Sequence, residues 1–258
     1  MRLLYVWDAD YPWDVRTEKI CRAFSEAGWG VTIAARNKKG AVRSESLAEG
    51  EVERIPLPAF LGARGRAVLS FPAFMNPFWL WHIGRVASRH QVDLLIVRDL
   101  PLALTAMAAA RGRPVILDMA ENYPAMMQDV WSDGAAKPLD YLVRNPTAVR
   151  AVERLVVSRV DHIVTVVEES STRLQALGVP ANRLTVVSNT PPLAQLTGEP
   201  PLADPDPLRV VYLGLMERHR GVGDLLEATR LLSDAGVRLR VDLVGGGRDL
   251  PSFRHQAE

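Results

Sequence analysis

The feature that most constrains this chain is an alternation. Short, continuously apolar runs rich in β-branched residues recur between longer stretches of helical period. The strand candidates are Leu3–Trp7, Val31–Ala35, Val52–Ile55, Leu94–Val97, Val115–Asp118, His162–Val166 and Leu184–Val187. None alternates apolar with polar, so helices must cover both faces, the condition of a parallel sheet joined by crossovers. The helices fall at about Val15–Ala27, with Ile20, Ala23, Phe24 and Ala27 on one face, and near Leu100–Arg111, Leu139–Val160 and Glu168–Leu177. Gly28 and Gly30 end the first of them.

The pattern then breaks and restarts. Pro191, Pro192, Pro200, Pro201, Pro205 and Pro207 crowd together with Gly198, Asp204 and Asp206, a composition that holds no helix and reads as an extended linker. Beyond it come a strand at Leu208–Leu213, a helix near Val222–Ala235, a strand at Leu239–Val244 and a helix after Gly247. The expected organisation is a domain over 1–192, a linker over 193–207 and a second domain over 208–258. Two strands and two helices cannot bury a doubly wound core alone. The expectation is therefore that the second domain is present only in its first part.

Composition narrows the function. The 31 Lys and Arg against 30 Asp and Glu leave a charge of +1, without the basic excess that nucleic-acid binding uses. A single cysteine, Cys21, forms neither an internal disulfide nor a cysteine metal site, so the default compartment is the reducing cytoplasm. Met1–Trp7 reaches Asp8 too soon for a secretory signal. The stretch Ala67–Ile83 is broken by Pro72, Asn76, Pro77 and His82, so no bilayer span of about 20 apolar residues is expected.

Three groups of loops carry candidate chemistry, all after strands, where open α/β sheets bind ligands. The first comprises Asp8–Asp14, Arg98-Asp99 and Glu121-Asn122-Tyr123-Pro124; Asp99 before Leu100-Pro101 serves equally as a helix cap. The second is Gly214-Leu215-Met216-Glu217-Arg218-His219-Arg220-Gly221, where a guanidinium and helix-start N–H groups could hold a phosphate. It is neither a Walker A loop nor G-x-G-x-x-G. The third is Gly245-Gly246-Gly247-Arg248-Asp249, where glycines admit a ligand or another backbone, or simply turn the chain.

In this order the segments resemble a family 4 glycosyltransferase of the GT-B architecture. The resemblance rests on Asp14-Val15-Arg16 and its helix, Ile116–Pro124, Val160–Val166, Gly178-Val179-Pro180 with Leu184–Pro191, Val211–Gly214, Arg220-Gly221 and Leu243–Gly247. It implies a GT-B-like α/β fold: an N-terminal Rossmann-like parallel sheet on the acceptor side and the first part of a second, nucleotide-sugar-binding Rossmann-like domain. It implies retaining transfer from a nucleoside-diphosphate sugar to a glycan or lipid-linked acceptor, in assembly of a bacterial surface glycan, with no metal and no other cofactor.

The resemblance assigns donor binding to Gly214, Arg218, Arg220, Gly245 and Gly247, and the acceptor side to Asp14, Arg16, Arg98 and Asn122. It leaves Glu121 and Asp99 as catalytic candidates. The family's histidine position is Ala120 here, the arginine often found after its glycine is Leu215, and its glutamate pair would lie beyond Glu258. Two alternatives stand beside the transferase. One is a sugar-nucleotide epimerase of the same architecture, using Asp99, Glu121 and His219 for proton transfer. The other is a non-catalytic acceptor- or membrane-binding remnant.

One stretch stands apart. Arg54–Val92 holds no Asp or Glu, five arginines (Arg54, Arg64, Arg66, Arg85, Arg89) and six aromatics, Phe60, Phe71, Phe74, Phe78, Trp79 and Trp81. Arginines with interfacial aromatics suit an anionic membrane surface, hence a cytoplasmic protein peripheral to the inner face. The competing reading is buried aromatics beneath a solvated basic face.

Overall fold

The computed structural model describes residues 1–58, 60–72, 74–132, 145–190 and 207–257. Contacts divide the chain into two units, Met1–Thr190 and Pro191–Glu258.

Among its described residues the first unit holds eight strands: β1 (Arg2–Asp10), β2 (Gly30–Arg36), β3 (Ser44–Leu47), β4 (Gly50–Arg54), β5 (Leu94–Arg98), β6 (Val115–Met119), β7 (His162–Thr165) and β8 (Leu184–Val186). They form one sheet in the order β3-β4-β2-β1-β5-β6-β7-β8, parallel throughout except for the antiparallel β3–β4 pair. From β1 the chain winds outward through β2 to β4, then crosses back to lay β5 on the other side of β1. The winding reverses between β1 and β5. At such a reversal the crossovers leave on opposite faces, and a crevice opens outside the carboxyl ends of the strands.

β1 shows how the sequence builds this sheet. Successive side chains point to opposite faces, so Leu3 and Tyr5 pack with Cys21, Ile33 and Val52, while Leu4 and Val6 pack with Trp79, Ile83 and Val97. Helix α1 (Val15–Glu26) covers the first face. The second is covered by α3 (Pro77–Arg89), α4 (Ala103–Ala110) and α6 (Pro146–Arg159), with α2 (Ala63–Leu69), α5 (Tyr123–Ser132) and α7 (Glu168–Ala176) completing the unit. Burying each such large side chain stabilises by about 1.5–3 kcal/mol.

The helix starts are written in short side chains. Asp14 accepts from Thr17 N at 2.7 Å. Asn76 accepts from the N–H groups of Phe78 and Trp79 at 2.8 and 3.1 Å, and Asn145 from Thr147 at 2.9 Å. Both asparagines precede a proline, whose missing N–H costs nothing in a first turn.

In the second unit β9 (Leu208–Leu213) pairs in parallel with β10 (Leu239–Val244), joined by α8 (Val222–Asp234) and followed by α9 (Leu250–Ala257). Its core is Met216, Val222 and Phe253, while Val211 and Leu213 remain 65% and 79% exposed.

The architecture is the α/β class with a largely parallel sheet. Strands β9 and β10 take their expected bounds, and the others lie within a few residues of theirs. The helix expected from Leu100 begins at Ala103, because Leu100 O accepts from Ala103 N in a turn that leaves β5. Of the helix expected over Leu139–Val160, residues 139–144 lie outside the described residues, as does the linker before Pro207. β3, α2, α3 and α5 were not anticipated as elements.

Candidate functional site

The reversal between β1 and β5 gathers the loops that the sequence marks. β1 runs out through Trp7 and Asp8, β5 ends on Arg98, and β6 passes through Ala120 into Glu121-Asn122 at the start of α5. Arg98 is the hub. Its guanidinium lies 4.7 Å from the Trp7 ring centroid, pairs with Asp14, and stands 3.4 Å from the Asp99 carboxylate. Burial alone would lower its pKa, but Tyr5, Asp99, Asp14 and Asp118 around it raise the net value, so it remains charged. Asp14 thus serves two partners, capping α1 and neutralising β5's last residue.

Asp99 adopts a left-handed backbone, φ 59°, which Asp tolerates better than most residues. Its buried carboxylate accepts from Ala120 N at 2.8 Å and Glu121 N at 3.2 Å, tying the loop after β6 to the end of β5. Burial pushes this carboxyl up to about 7, against the opposing pull of Arg98 and the Ala120 N–H. Asp8 is also raised, chiefly by burial, with Arg36 and Arg98 opposing. Burial and the neighbouring Asp99 raise the Tyr123 phenol. Glu121 and Asn122 stand exposed at the rim, where Asn122 Oδ1 accepts from Ala125 N at 3.3 Å. The arrangement offers a carboxyl that titrates near neutrality, an exposed carboxylate beside it and a fixed cation beneath.

Arg16 lies deeper, against Asp118, the β6 residue in register with Arg98. It is buried in an ion pair with fully buried Asp118, 2.5 Å at its closest, and donates to Val187 O at 2.7 Å and Asn189 Oδ1 at 3.0 Å. Tyr5 donates to the same Asp118 at 2.5 Å. Of the four acceptor-side candidates, Asp14 and Arg98 meet each other, Asn122 occupies the rim, and Arg16 belongs to the interior. Sequence reasoning missed Trp7 as the ring beneath Arg98 and Tyr5 as the partner of Asp118. A tryptophan directly before an acidic loop was the available signal for the former; nothing local signals the latter.

In the second unit the glycines answer to backbone. Gly245 has φ 147°, and a Cβ there would meet Gly214 O at 1.9 Å; at Gly247 it would meet Met216 O at 2.5 Å. Gly214 N donates to Val244 O at 3.0 Å and Met216 N to Gly246 O at 3.0 Å, so the loops after β9 and β10 lie against each other. Arg218, His219 and Arg220 form an exposed 3-10 turn before Gly221, whose left-handed backbone (φ 73°) opens α8. Asp249 anchors that turn by accepting from Arg218 N at 3.0 Å. Among the described residues no three His, Cys, Asp or Glu side chains converge as a metal site, and no helix is long and apolar enough to cross a membrane.

A doubly wound, largely parallel sheet with a charged crevice at its reversal defines an open-sheet α/β protein. More particularly, the chain belongs to the family described as the glycosyl transferase 4-like domain, whose sequence model matches residues 14–190. Its fold is similar to that of sucrose-phosphate synthase from Thermosynechococcus elongatus, with TM-score 0.68 at 13% identity over 98% of this chain and 65% of that one. It is also similar to Anabaena HepE in complex with UDP and glucose, with TM-score 0.57 at 14% identity over 99% and 65%. A third likeness is UDP-GlcNAc 2-epimerase from Neisseria meningitidis bound to UDP-GlcNAc, with TM-score 0.51 at 13% identity over 100% and 68%. The chain thus spans just under two thirds of the first two structures. None of the curated proteins matches it by sequence.

Proposed function

We propose that the protein takes part in transfer of a sugar from a nucleoside-diphosphate sugar to a glycan or lipid-linked acceptor, with retention at the anomeric carbon. The observation that carries the reading is the crevice itself. Arg98 joins Asp14 and Asp99 at the sheet reversal, and Asp99 ties in the backbone of Glu121, beside Asn122, all within the segment the family model matches. In this reading Glu121 and Asn122 meet acceptor hydroxyls, and Asp99 positions Glu121 through its backbone N–H. Arg218 and Arg220, beside the N-terminus of α8, offset the charge that grows on the departing diphosphate. Gly214, Gly245 and Gly247 shape that loop pair. No metal or organic cofactor takes part, and the protein works in the cytoplasm.

The test is incubation with a panel of nucleotide sugars and glycan or lipid-linked acceptors, reading nucleoside-diphosphate release and the anomeric configuration of the product by proton NMR. Glu121→Gln should lower transfer by about 10²-fold or more with an unchanged melting temperature. No binding of any nucleotide sugar would overturn the reading. One observation favours an epimerase as the second reading: a crevice carboxyl titrating near 7 suits proton transfer. Solvent deuterium entering the sugar of the nucleotide, with no acceptor consumed, would select it.

A further inference from the structure

The amino ends of the strands carry a cavity that the crevice does not use. It holds about 450 Å³ and lies at the opposite end of β1 from Trp7 and Arg98. One wall is the β3–β4 hairpin, which comes down onto β2 because position 50 is glycine. Gly50 has φ 149°, and a Cβ there would meet Val31 O at 2.6 Å. The facing wall is Trp29, just past α1. Its ring meets Phe24 edge-on, with centroids 5.1 Å apart, and its N–H donates to Phe24 O at 3.0 Å. The indole is therefore fixed against the core, half-buried, with surface left to the cavity.

Polar groups close the remaining sides. The hydroxyls of Ser25, Thr32 and Ser46 line the cavity, and among the described residues none of them has a hydrogen-bond partner. His90 presents its ring between Glu51 and Glu53, with Nδ1 3.8 Å from Glu51 Oε2 and a buried Nε2 that makes no hydrogen bond. Glu53 is already engaged by Arg89 and by Ser44 Oγ, each at 3.0 Å. Arg89 is thereby neutralised, as Arg54 is by Glu45 at 2.6 Å, and Trp79 is fully buried. The basic aromatic stretch read from the sequence thus presents less charge and fewer rings than its composition. Arg2, the cation at the cavity, donates to His90 O at 2.9 Å, while Asp93 accepts from its backbone N–H at 2.7 Å. Glu51 and Asp93 offset that cation, so an anion gains no surplus attraction.

We propose that this cavity is a saccharide site apart from the crevice. It takes a neutral pyranose of a glycan, with the ring's C–H face on Trp29 and its hydroxyls on Ser25, Thr32, Ser46 and Glu51. The volume lies in the range that small ligands occupy, and a flat apolar wall with a few convergent polar groups fixes both position and orientation. A pyranose matches that division, since it is apolar on its faces and polar around its rim, and an indole offers a large rigid surface to such a face. The inference is independent of the transferase reading, because sugar binding at this end of the sheet needs neither a nucleotide nor the crevice.

The experiment is saturation-transfer-difference NMR on the full chain, without nucleotide. The probes are methyl glycosides of glucose, galactose, mannose and N-acetylglucosamine, with methyl glucuronide as the anionic comparison. Saturation of the ring C–H protons of at least one neutral glycoside is expected. Ser46→Tyr, which fills the cavity from an exposed position on the edge strand β3, should abolish it with an unchanged thermal transition. Trp29→Ala should weaken binding by about tenfold, and Trp29→Phe, which keeps a ring beside Phe24, should retain part of it. Trp13→Ala, which removes an 89% exposed indole at the other end of β1, should change nothing. Absence of transfer to every neutral glycoside overturns the proposal. So does transfer that survives Ser46→Tyr, and so does transfer lost in Trp13→Ala, which would move the sugar to the crevice. Methyl glucuronide bound more tightly than all the neutral glycosides would overturn it as well.

Discussion

Replacing Arg16 by Leu tests whether this arginine holds the fold or meets a substrate. In the structure it is 4% exposed and neutralises Asp118, which is wholly buried. Removing one member of a buried pair strands the other charge, at a cost of about 3–5 kcal/mol. Tyr5 keeps its hydrogen bond to Asp118 but carries no charge to offset it. With a urea m-value of about 3 kcal/mol per M, a loss of about 4 kcal/mol moves the unfolding midpoint down by about 1.3 M. The assay is urea unfolding followed by tryptophan fluorescence. Arg16→Leu combined with Asp118→Leu should recover most of the loss, because a buried pair replaced whole by apolar groups is close to neutral. A midpoint shift below about 0.3 M for the single variant, accompanied by a fall in sugar transfer, would refute the reasoning and return Arg16 to the acceptor side.

Other outcomes follow from single sites. Because the folded-state pKa of Asp99 is raised to about 7 and the unfolded value lies near 3.9, the folded chain binds the extra proton between those limits. Stability contributed by this group is therefore full below about pH 4 and falls as pH rises toward 7; Asp99→Asn should flatten that part of a melting-temperature-against-pH profile. Gly245→Ala should destabilise the second unit by more than about 3 kcal/mol, given a backbone oxygen 1.9 Å from the new methyl and a positive φ. Gly246→Ala, with nothing within 4 Å, should stay within about 0.5 kcal/mol; hydrogen exchange over 207–257 reads both. With three buried core residues around a two-stranded sheet among the described residues of the second unit, its amides should also exchange faster than those of β1 or β5.

What the sequence reveals depends on how local the cause is. Leu94–Val97 and Val115–Asp118 announce themselves because a strand covered on both faces is apolar at every position. Ser44–Leu47 does not, because β3 is an edge strand with half its residues exposed and the composition of a loop. Helix α3 carried a legible start, Asn76-Pro77, but its aromatic content drew attention to surface chemistry instead. At the site, the loops after strands were found because the reversal of an α/β sheet puts them there, so Asp14, Arg98, Asp99 and Glu121 were all named. Their mutual geometry was not legible. Arg98 reaches Asp14 across 84 residues and Arg16 reaches Asp118 across 102, separations that no periodicity encodes. Nor can a glycine announce whether it makes room for a ligand or, as Gly245 and Gly247 do, for a neighbouring strand's loop.

The bonds from α1 to the last residues of the first unit carry a practical corollary. β8 ends at Val186, yet Arg16 holds Val187 and Asn189, and Lys19 holds Ser188 O at 2.7 Å and Thr190 O at 3.2 Å. The opening helix acts as a cleat around which the departing chain is made fast. Beyond the bond from Val187 N to Thr165 O of β7, the last residues of the first unit are held by two basic side chains of α1. A shortened version cut after Val186 would leave Lys19 without these acceptors and Arg16 with Asp118 alone, whereas one extended to Thr190 keeps every knot tied.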